Sequence, residues 1–253
     1  MATINELYRL LEEHIPAELA CDWDNDGRMV VPCGEKKVEK VLICLDVTES
    51  AVDYAIEGGF DCIISHHPII FNSIKNIDSD NYLCRKLCKL IKNGIAVFSF
   101  HTRLDKVSGG VNDALADIFE LKNIADFSDV GRMGECSPVS LGRFATLVKE
   151  WLNTDRSLVC VDSGRKVNKI AIVGGSGKGY LEEAYEKGCD TFITGEMPYN
   201  CEHEAKEMGI NLICAGHYFT ENIVCERVQL LVKNFDLGIY TEIYSNTNPS
   251  VLK

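Results

Sequence analysis

The sequence predicts an α/β fold built from two related halves, and three observations indicate it. Short apolar runs alternate with segments of helical period along the 253-residue chain, which is typical of strands buried between helices. One strand–helix–strand pattern occurs twice at a constant spacing. Polar side chains follow the ends of the apolar runs, where ligands bind in open α/β sheets. We therefore expect one domain over 1–253 with mixed, largely buried sheets and with halves at 1–128 and 129–253.

The apolar pattern gives the elements in chain order. An acidic amphipathic helix is predicted at about 3–13, and it lacks the basic and apolar regions of a signal peptide. The predicted strands lie at 38–45, 61–65, 95–100, 170–173, 191–194 and 211–214. The predicted helices lie at about 49–57, 80–92, 111–120, 179–187, 201–208 and 220–234. A looser region is expected before residue 170, with the halves joining near 128 to 140.

Composition excludes several classes of function. A net charge of −12 disfavours bulk nucleic-acid binding, because phosphate contacts need clustered Lys and Arg. No apolar run approaches the length of a membrane span, and without an export signal we expect a cytoplasmic protein. The twelve cysteines include no C-x-x-C pair, so reduced structural thiols are predicted, with a sulfur-ligated metal as the weaker alternative.

The internal repeat is the clearest sign of two halves. Residues 40–68 align with 169–197 without a gap at an offset of 129. The identical pairs include Lys40 and Lys169, Ala55 and Ala184, Gly59 and Gly188, Asp61 and Asp190, and Ile64 and Ile193. Farther on, 94–105 resembles 209–221, with one extra residue in the second, and both segments end in His-x-x-x-acid. Strand–helix–strand units in general share Gly and Ala positions, but the gapless register favours a duplication.

Six side chains at predicted strand ends could bind metal. They are His66, His67, His101, Asp105, His217 and Glu221. A proline after the double histidine ends the strand, so that two adjacent imidazoles can converge. The last histidine and glutamate are four residues apart and share one helix face. Singly, such residues are usually hydrogen-bonded structural groups or surface pairs. Together they suit two metal ions with a bridging carboxylate.

Two polar loops have a structural and a functional interpretation. The stretch "VGGSGKG" (173–179) follows a strand and opens a helix. It is not a Walker A motif, and a tight turn is favoured over an anion cradle because an isolated glycine-rich turn is weak evidence for phosphate binding. Asp24, Asn25, Asp26 and Gly27 are typical of a turn. Thr194 and Glu196 follow the strand that matches the double histidine, so they could line the same cleft. His14 and His203 are expected on helix surfaces.

The motifs "WDNDGRMV", "SHHPIIF", "HTRLD", "GGVNDAL", "TGEM" and "AGHYFTE" resemble the Nif-three-like family of dinuclear-metal proteins, the GTP cyclohydrolase I type 2 homologues. The resemblance covers nearly the whole chain and matches the short form, without an inserted domain. It implies five metal ligands, namely His66, His67, Asp105, His217 and Glu221. It also implies two divalent ions per chain (Zn, Fe, Mn, Ni or Co) and a toroidal homohexamer, built as a trimer of dimers.

The resemblance implies a metal-dependent hydrolase with a small-molecule substrate. If the family label holds, the substrate is GTP, water attacks purine C8, and the ring opens with loss of formate. The alternative is a non-catalytic metal-binding, metal-delivery or scaffold protein. His101 lies outside the five ligands and is a candidate general acid/base, or else an orienting hydrogen-bond partner. Arg28, Arg103 and Asn200 depart from the family pattern, and both arginines would change the charge of the pocket if they face it.

Overall fold

The computed structural model describes residues 2–235 and 237–245. Contacts within the described chain divide it into two units. The first contains residues 2–107 and 224–245, and the second contains residues 108–223. The two units are defined by contacts in the folded chain. The halves 1–128 and 129–253 were predicted from a sequence repeat and refer to a shared origin. The contacts do not test a shared origin, so the halves stay a prediction.

The helices and strands of the described chain are as follows. The strands are β1 Gly27–Val30, β2 Lys40–Cys44, β3 Cys62–Ser65, β4 Ala96–Ser99, β5 Lys122–Phe127, β6 Gly131–Val139, β7 Val159–Val161, β8 Val167–Ser176, β9 Thr191–Glu196, β10 Asn211–Cys214 and β11 Tyr240–Tyr244. The α-helices are α1 Ile4–His14, α2 Glu49–Glu57, α3 Tyr82–Lys92, α4 Thr102–Lys106, α5 Val111–Ile118, α6 Leu141–Trp151, α7 Leu181–Glu186, α8 Tyr199–Met208, α9 His217–Glu221 and α10 Val224–Asn234. A short 3-10 helix lies at Ala17–Leu19.

The first unit contains a five-stranded sheet in the order β1-β4-β3-β2-β11. Its strands pair in parallel except β1, which runs antiparallel to β4. The apolar stretches of β3 and β4 are buried at every residue, as expected for parallel strands covered on both faces. Leu42, Ile63 and Val97 form the core with Leu87 and Leu90 of α3.

The second unit contains a six-stranded sheet in the order β5-β6-β8-β9-β10-β7. Its centre is parallel, because β9 pairs in parallel with both β8 and β10. The outer pairs are antiparallel. Ala171, Phe192 and Leu212 from the three central strands pack with Ala184 of α7 and Ala205 of α8. The predicted α/β fold with mixed, largely buried sheets is therefore confirmed.

The structure contains β1, α4 and β11, which the apolar pattern did not predict, and it differs from the predicted elements in two further places. The region expected to be looser holds the hairpin β5–β6, helix α6 and strand β7. Five of the six residues of β5 are exposed, so this edge strand has no apolar run that would identify it. The helix predicted at 220–234 is two helices, α9 and α10.

The internal repeat extends to individual hydrogen bonds. In the first unit, the Asp61 carboxylate accepts the backbone N–H groups of Glu39 and Lys40 at 2.8 and 3.1 Å. In the second unit, Asp190 accepts those of Asn168 and Lys169 at 2.9 and 2.7 Å. The lysine ammonium then donates to a carbonyl in each unit, Lys40 to Gly58 and Lys169 to Lys187. All of these positions keep the offset of 129, as a duplication predicts.

The cysteines of the described chain are free thiols. The twelve cysteines all lie in the described part of the chain, and none of them forms a disulfide. Burial raises the pKa of the Cys214 thiol to about 12, and buried thiols of this kind are packing groups rather than nucleophiles. Among the described helices, none is long and apolar enough to cross a membrane.

Candidate metal centre

The double histidine lies directly after β3, at the carboxyl edge of the first sheet. The backbone N–H groups of His66 and His67 donate to the carbonyls of Cys44 and Leu45 at 3.3 and 2.9 Å. Ser65 Oγ donates to the His67 carbonyl at 2.9 Å, which bends the chain at this point. The two imidazole rings lie 5.0 Å apart between centroids. Adjacent residues thus present neighbouring imidazoles, as the proline-terminated strand predicted.

Three imidazoles of the first unit gather in one cluster, each with its Nδ1 atom engaged. The Nδ1 partners are the Phe100 carbonyl for His66 at 3.0 Å, Asp46 Oδ1 for His67 at 2.8 Å and Asp24 Oδ1 for His101 at 2.8 Å. Carbonyl and carboxylate oxygens only accept, so each Nδ1 carries the hydrogen. The nitrogen that each ring can offer a metal is therefore Nε2. The candidate ligand atoms of the three rings lie within 4.8 Å of one another.

Asp105 joins this cluster from α4. Its Oδ1 atom lies 3.7 Å from His66 Nε2. The helix begins directly after His101, so a single turn places Asp105 and the His101 ring on the same side of the sheet edge. A carboxylate and three imidazoles in one unit are a donor set that divalent first-row metals accept.

Asp24 holds His101 from the loop that precedes β1. Its Oδ2 atom accepts the backbone N–H and the hydroxyl of Thr102 at 3.0 and 2.7 Å. Burial alone would raise the pKa of Asp24, but the hydrogen bonds from His101 and Thr102 outweigh it and hold the pKa well below its usual range. The carboxylate is therefore ionised and can only accept hydrogen bonds.

Arg103 does not contribute charge to a pocket. Its Nε and Nη2 atoms each lie 3.0 Å from an oxygen of Asp26, and Nη1 donates to the Ile15 carbonyl at 3.0 Å. The side chain is almost fully enclosed, and the guanidinium lies 4.7 Å from the centre of the Phe100 ring. A change of pocket charge was expected only if Arg103 faces the pocket, and its enclosed guanidinium instead pairs with Asp26 inside the unit.

The other two departures from the family pattern lie on the surface. Arg28 is exposed, donates to the side chain of Asn5 at 2.8 Å and lies over the Tyr8 ring. Asn200 is exposed on α8 and donates to Glu204 at 2.9 Å. The interactions described for Arg28 are with residues of α1, and the one described for Asn200 is within α8.

The second unit places His217 and Glu221 on one face of α9. His217 Nε2 lies 3.0 Å from Glu221 Oε2, and its Nδ1 lies 3.1 Å from Glu196 Oε1. The two carboxylates differ in environment, because the Glu221 side chain is 6% exposed and that of Glu196 is 61% exposed. The i, i+4 spacing thus brings one imidazole and one buried carboxylate together, as predicted.

The glycine-rich stretch 173–179 makes room for this pair, and its first four residues are the end of β8. Gly175 has a left-handed φ of +64°, and a Cβ atom there would overlap Glu221 Oε1 and lie 3.2 Å from His217 Nε2. A Cβ on Gly177 would lie 2.5 Å from Thr194 Oγ1. The following helix, α7, has only six residues. The tight turn is therefore the better interpretation, and its glycines clear the space that the donor pair occupies.

Two buried polar residues that the sequence analysis missed hold the loop in place. Thr220 Oγ1 accepts the Gly175 N–H at 3.1 Å and lies 3.1 Å from the Gly216 carbonyl. Asn112 accepts the Gly174 N–H at 2.8 Å and donates to the Val130 carbonyl at 2.9 Å. Asn112 stands on the buried face of α5, so an amide inside an otherwise apolar helix face was the available signal. Asp46, the partner of His67, also follows a buried strand and could have been found in that way.

Aromatic rings border the histidine cluster. The Trp23 and Phe71 rings lie 6.1 and 6.3 Å from the His101 ring, both nearly perpendicular to it. They are 65% and 47% exposed. Exposed aromatic faces beside polar groups suit a planar ligand.

The donors in each unit fit a divalent metal. Every imidazole is oriented through Nδ1, which is the usual outer contact of a metal-binding histidine. The carboxylates add hard oxygen donors, and a glycine clears the space around Glu221. Among the described residues, the groups with metal-ligand proximity contain no cysteine, so the sulfur-ligated alternative finds no support there.

Comparison with known proteins identifies the family. The family model for DUF34/NIF3 (NGG1p interacting factor 3) matches residues 2–249. A Clostridium acetobutylicum protein named GTP cyclohydrolase 1 type 2 homolog is 34% identical over 97% of this chain and 96% of its own length. A protein of the same name from Clostridium perfringens is 36% identical over 91% of each chain. The crystal structure of a Bacillus cereus protein related to NIF3 superposes with a TM-score of 0.92 at 24% identity, covering 100% of this chain and 99% of the other. The chain therefore belongs to the DUF34/NIF3 family.

Proposed function

We propose that the protein is a dinuclear, divalent-metal-dependent hydrolase. The proposed ligands are His66, His67, Asp105, His217 and Glu221. The observation that carries the proposal is the histidine cluster of the first unit, in which every Nδ1 is engaged and the candidate ligand atoms converge. The curated relatives named as GTP cyclohydrolase 1 type 2 homologues support the same class of activity.

Two metal ions per chain are favoured over one. Five protein donors exceed the three that a single catalytic zinc usually takes, and shared between two ions they leave each with open positions. Open positions suit chemistry or reversible loading rather than a closed structural site. Mixed imidazole and carboxylate donors accept Zn, Fe, Mn, Ni or Co.

Different residues of the site have different proposed roles in the reaction. Metals bound there would supply Lewis-acid activation of the electrophile and of water. His101 is proposed to move the proton: its Nδ1–H donates to Asp24, so Nε2 takes the proton from the attacking water and returns it to the leaving nitrogen. The Trp23 and Phe71 rings would hold a planar substrate beside it.

The proposed substrate is a purine nucleotide such as GTP. Addition of water at purine C8 opens the imidazole ring, and hydrolysis of the resulting formyl group releases C8 as formate. The exposed aromatic faces beside His101 support this choice, because a purine stacks on such faces.

Metal analysis tests the ligand assignment with a matched pair of variants. Glu221→Gln and Glu196→Gln each remove a carboxylate that contacts His217, but only Glu221 is buried. We expect about two ions per chain in the native protein and a fall in metal affinity of about 100-fold or more for Glu221→Gln, since even outer contacts carry 10- to 100-fold. Glu196→Gln should change the affinity only a few-fold. Full metal content at limiting free metal in the Glu221 variant would refute the assignment.

Formate release tests the activity. The protein loaded with Zn, Mn or Fe is incubated with GTP, and formate is measured against a His101→Gln control. Formate from the native protein and little from the control is the expected result. Metal binding without formate under all three loadings would favour the alternative, a non-catalytic metal-binding or metal-delivery protein.

We also propose that the chain acts in the cytoplasm as a homohexamer, a trimer of dimers. The resemblance to the family supports the assembly, and light scattering of the purified protein checks it against the chain mass of 28.2 kDa. A monomer at micromolar concentration would contradict it.

A further inference from the structure

The carboxylate of Asp24 is enclosed far beyond what a surface turn requires. Its side chain is 0% exposed, so the cost of removing a charge from water must be offset by hydrogen bonds. Both oxygens are used on two consecutive residues of a distant segment: Oδ1 on the ring of His101, and Oδ2 on the backbone and hydroxyl of Thr102. Oδ1 also accepts the backbone N–H of the neighbouring Asn25 at 2.9 Å, as in a turn, but the other three contacts reach residues 77 and 78 positions away.

The two oxygens have separate roles. The Thr102 hydroxyl oxygen accepts the Cys21 N–H at 2.9 Å, so its hydrogen is available to Asp24 Oδ2. Oδ2 therefore faces two donors from Thr102, and Oδ1 faces the imidazole of His101 and the backbone N–H of Asn25. Since an ionised carboxylate has no hydrogen to donate, His101 must hold its hydrogen on Nδ1 and a lone pair on Nε2.

The His101 ring lies steeply inclined to the rings of His66 and His67, with centroids 5.3 and 5.7 Å away. One ring nitrogen of each of the three histidines lies within 4.8 Å of the others. We propose that Asp24 is a positioning residue, which fixes the Nδ1–H tautomer of His101 and aims its Nε2 lone pair at the rings of His66 and His67. This inference deepens the proposed function and rests on it, because there His101 transfers the proton.

The substitution Asp24→Asn separates positioning from simple anchoring. Each oxygen of Asp24 faces two donors, but Thr102 is buried whereas Asn25 is exposed and its N–H can bond to water instead. The oxygen of the new amide therefore takes the place of Oδ2, and its NH₂ group faces His101. The ring must then accept at Nδ1 and carry its hydrogen on Nε2. The loop keeps its hydrogen bonds to Thr102, whereas the tautomer of His101 reverses.

The test is nitrogen NMR of the histidine rings in the metal-free protein at alkaline pH, where an ordinary imidazole is neutral. Only six histidines contribute, and His101→Gln identifies the signals of His101. We expect the Nδ1–H tautomer in the native protein and the Nε2–H tautomer in Asp24→Asn. Thr102→Val is the matched control: it removes a hydrogen bond from the same carboxylate but leaves the contact with His101, so the tautomer should stay Nδ1–H.

Three results would overturn the inference: an Nε2–H tautomer in the native protein, an unchanged tautomer in Asp24→Asn, or a reversal in Thr102→Val. The first needs no variant, so it applies even if Asp24→Asn fails to fold. In the loaded protein, Asp24→Asn should keep its metal content while turnover falls by about 10²- to 10⁴-fold, the range of a general base and of the same exchange in a catalytic triad. Because the tautomer is read without metal or substrate, failure of the hydrolase proposal is distinguishable from failure of this one.

Discussion

The two units share a pattern of backbone hydrogen bonds, but they carry different side chains at matching positions of that pattern. Asp61 and Asp190 make the same pair of backbone hydrogen bonds at an offset of 129. At the end of the next strand, however, the first unit has His66 and the second has Gly195. The pattern can thus be repeated while the side chains at the sheet edge change, because ligand-binding residues lie beyond the strands that hold them.

The matching histidines show the difference most clearly. His101 and His217 each direct Nδ1 to a carboxylate. The partner of His101 is the enclosed Asp24, whereas the partner of His217 is the exposed Glu196. An enclosed ionised carboxylate constrains an imidazole more strongly than a solvated one, since water does not compete for it. We infer that the first unit fixes its histidine more firmly than the second.

The largest expected effect is on the stability of the first unit. Arg103 and Asp26 form an enclosed ion pair, and Arg132 and Asp113 form a less enclosed one in the second unit. Arg103→Met should lower the free energy of unfolding by about 3–5 kcal/mol, because it leaves Asp26 buried without its cation. Arg132→Met should cost roughly half as much, because the Asp113 carboxylate is partly exposed and retains hydration. Urea unfolding of both variants measures the difference, and equal losses would contradict the contrast in enclosure.

A middle-sized effect is expected from the glycine loop of the second unit. Gly175 and Gly179 both have left-handed φ angles, but a Cβ atom meets Glu221 only at Gly175 and meets open space at Gly179. Either alanine variant should lose about 1 kcal/mol of stability through backbone strain. Only Gly175→Ala should also lower metal affinity, by about 10- to 100-fold, because it displaces Glu221. Competition with a chelator measures this, and the same loss in Gly179→Ala would show that strain alone is responsible.

The smallest effect concerns the shared hydrogen-bond pattern and its pH dependence. Burial alone would raise the pKa of Asp61, but hydrogen bonds from Lys36 and from the backbone N–H groups of Glu39 and Lys40 lower it overall. A lowered pKa stabilises the fold above the unfolded value near 3.9, and the contribution is lost as pH falls through the folded pKa. Asp61→Asn should therefore cost about 1 kcal/mol at pH 6, the size of a typical net hydrogen bond. The difference in unfolding free energy between Asp61→Asn and the native protein, measured by urea unfolding, should become smaller toward pH 3. A difference that widens at low pH would contradict the assigned direction.

The sequence revealed the parallel strands and the donors at their ends because both leave local signals. The apolar runs of β3 and β10 ended where predicted, and their histidines followed within a few residues. The exposed edge strand β5 left no such signal, since its residues face water. Partners from distant segments were also invisible: nothing near Asp24 indicates that it contacts His101, 77 positions away. For the same reason the sequence did not show whether Arg103 faces a pocket, because its partner Asp26 lies on a distant segment.

Asp24 and Asp26 lie two residues apart in one loop. They contact His101 and Arg103, which also lie two residues apart on another segment. Each carboxylate contacts its own partner, but the two contacts share both stretches of backbone. Opening either contact therefore exposes the other, and we expect the loop and the start of α4 to open as one cooperative unit in hydrogen exchange. A transient opening would then release the orientation of His101 and expose Arg103 to solvent in the same event. We therefore expect the ion pair of Arg103 with Asp26 to influence how long His101 stays in position.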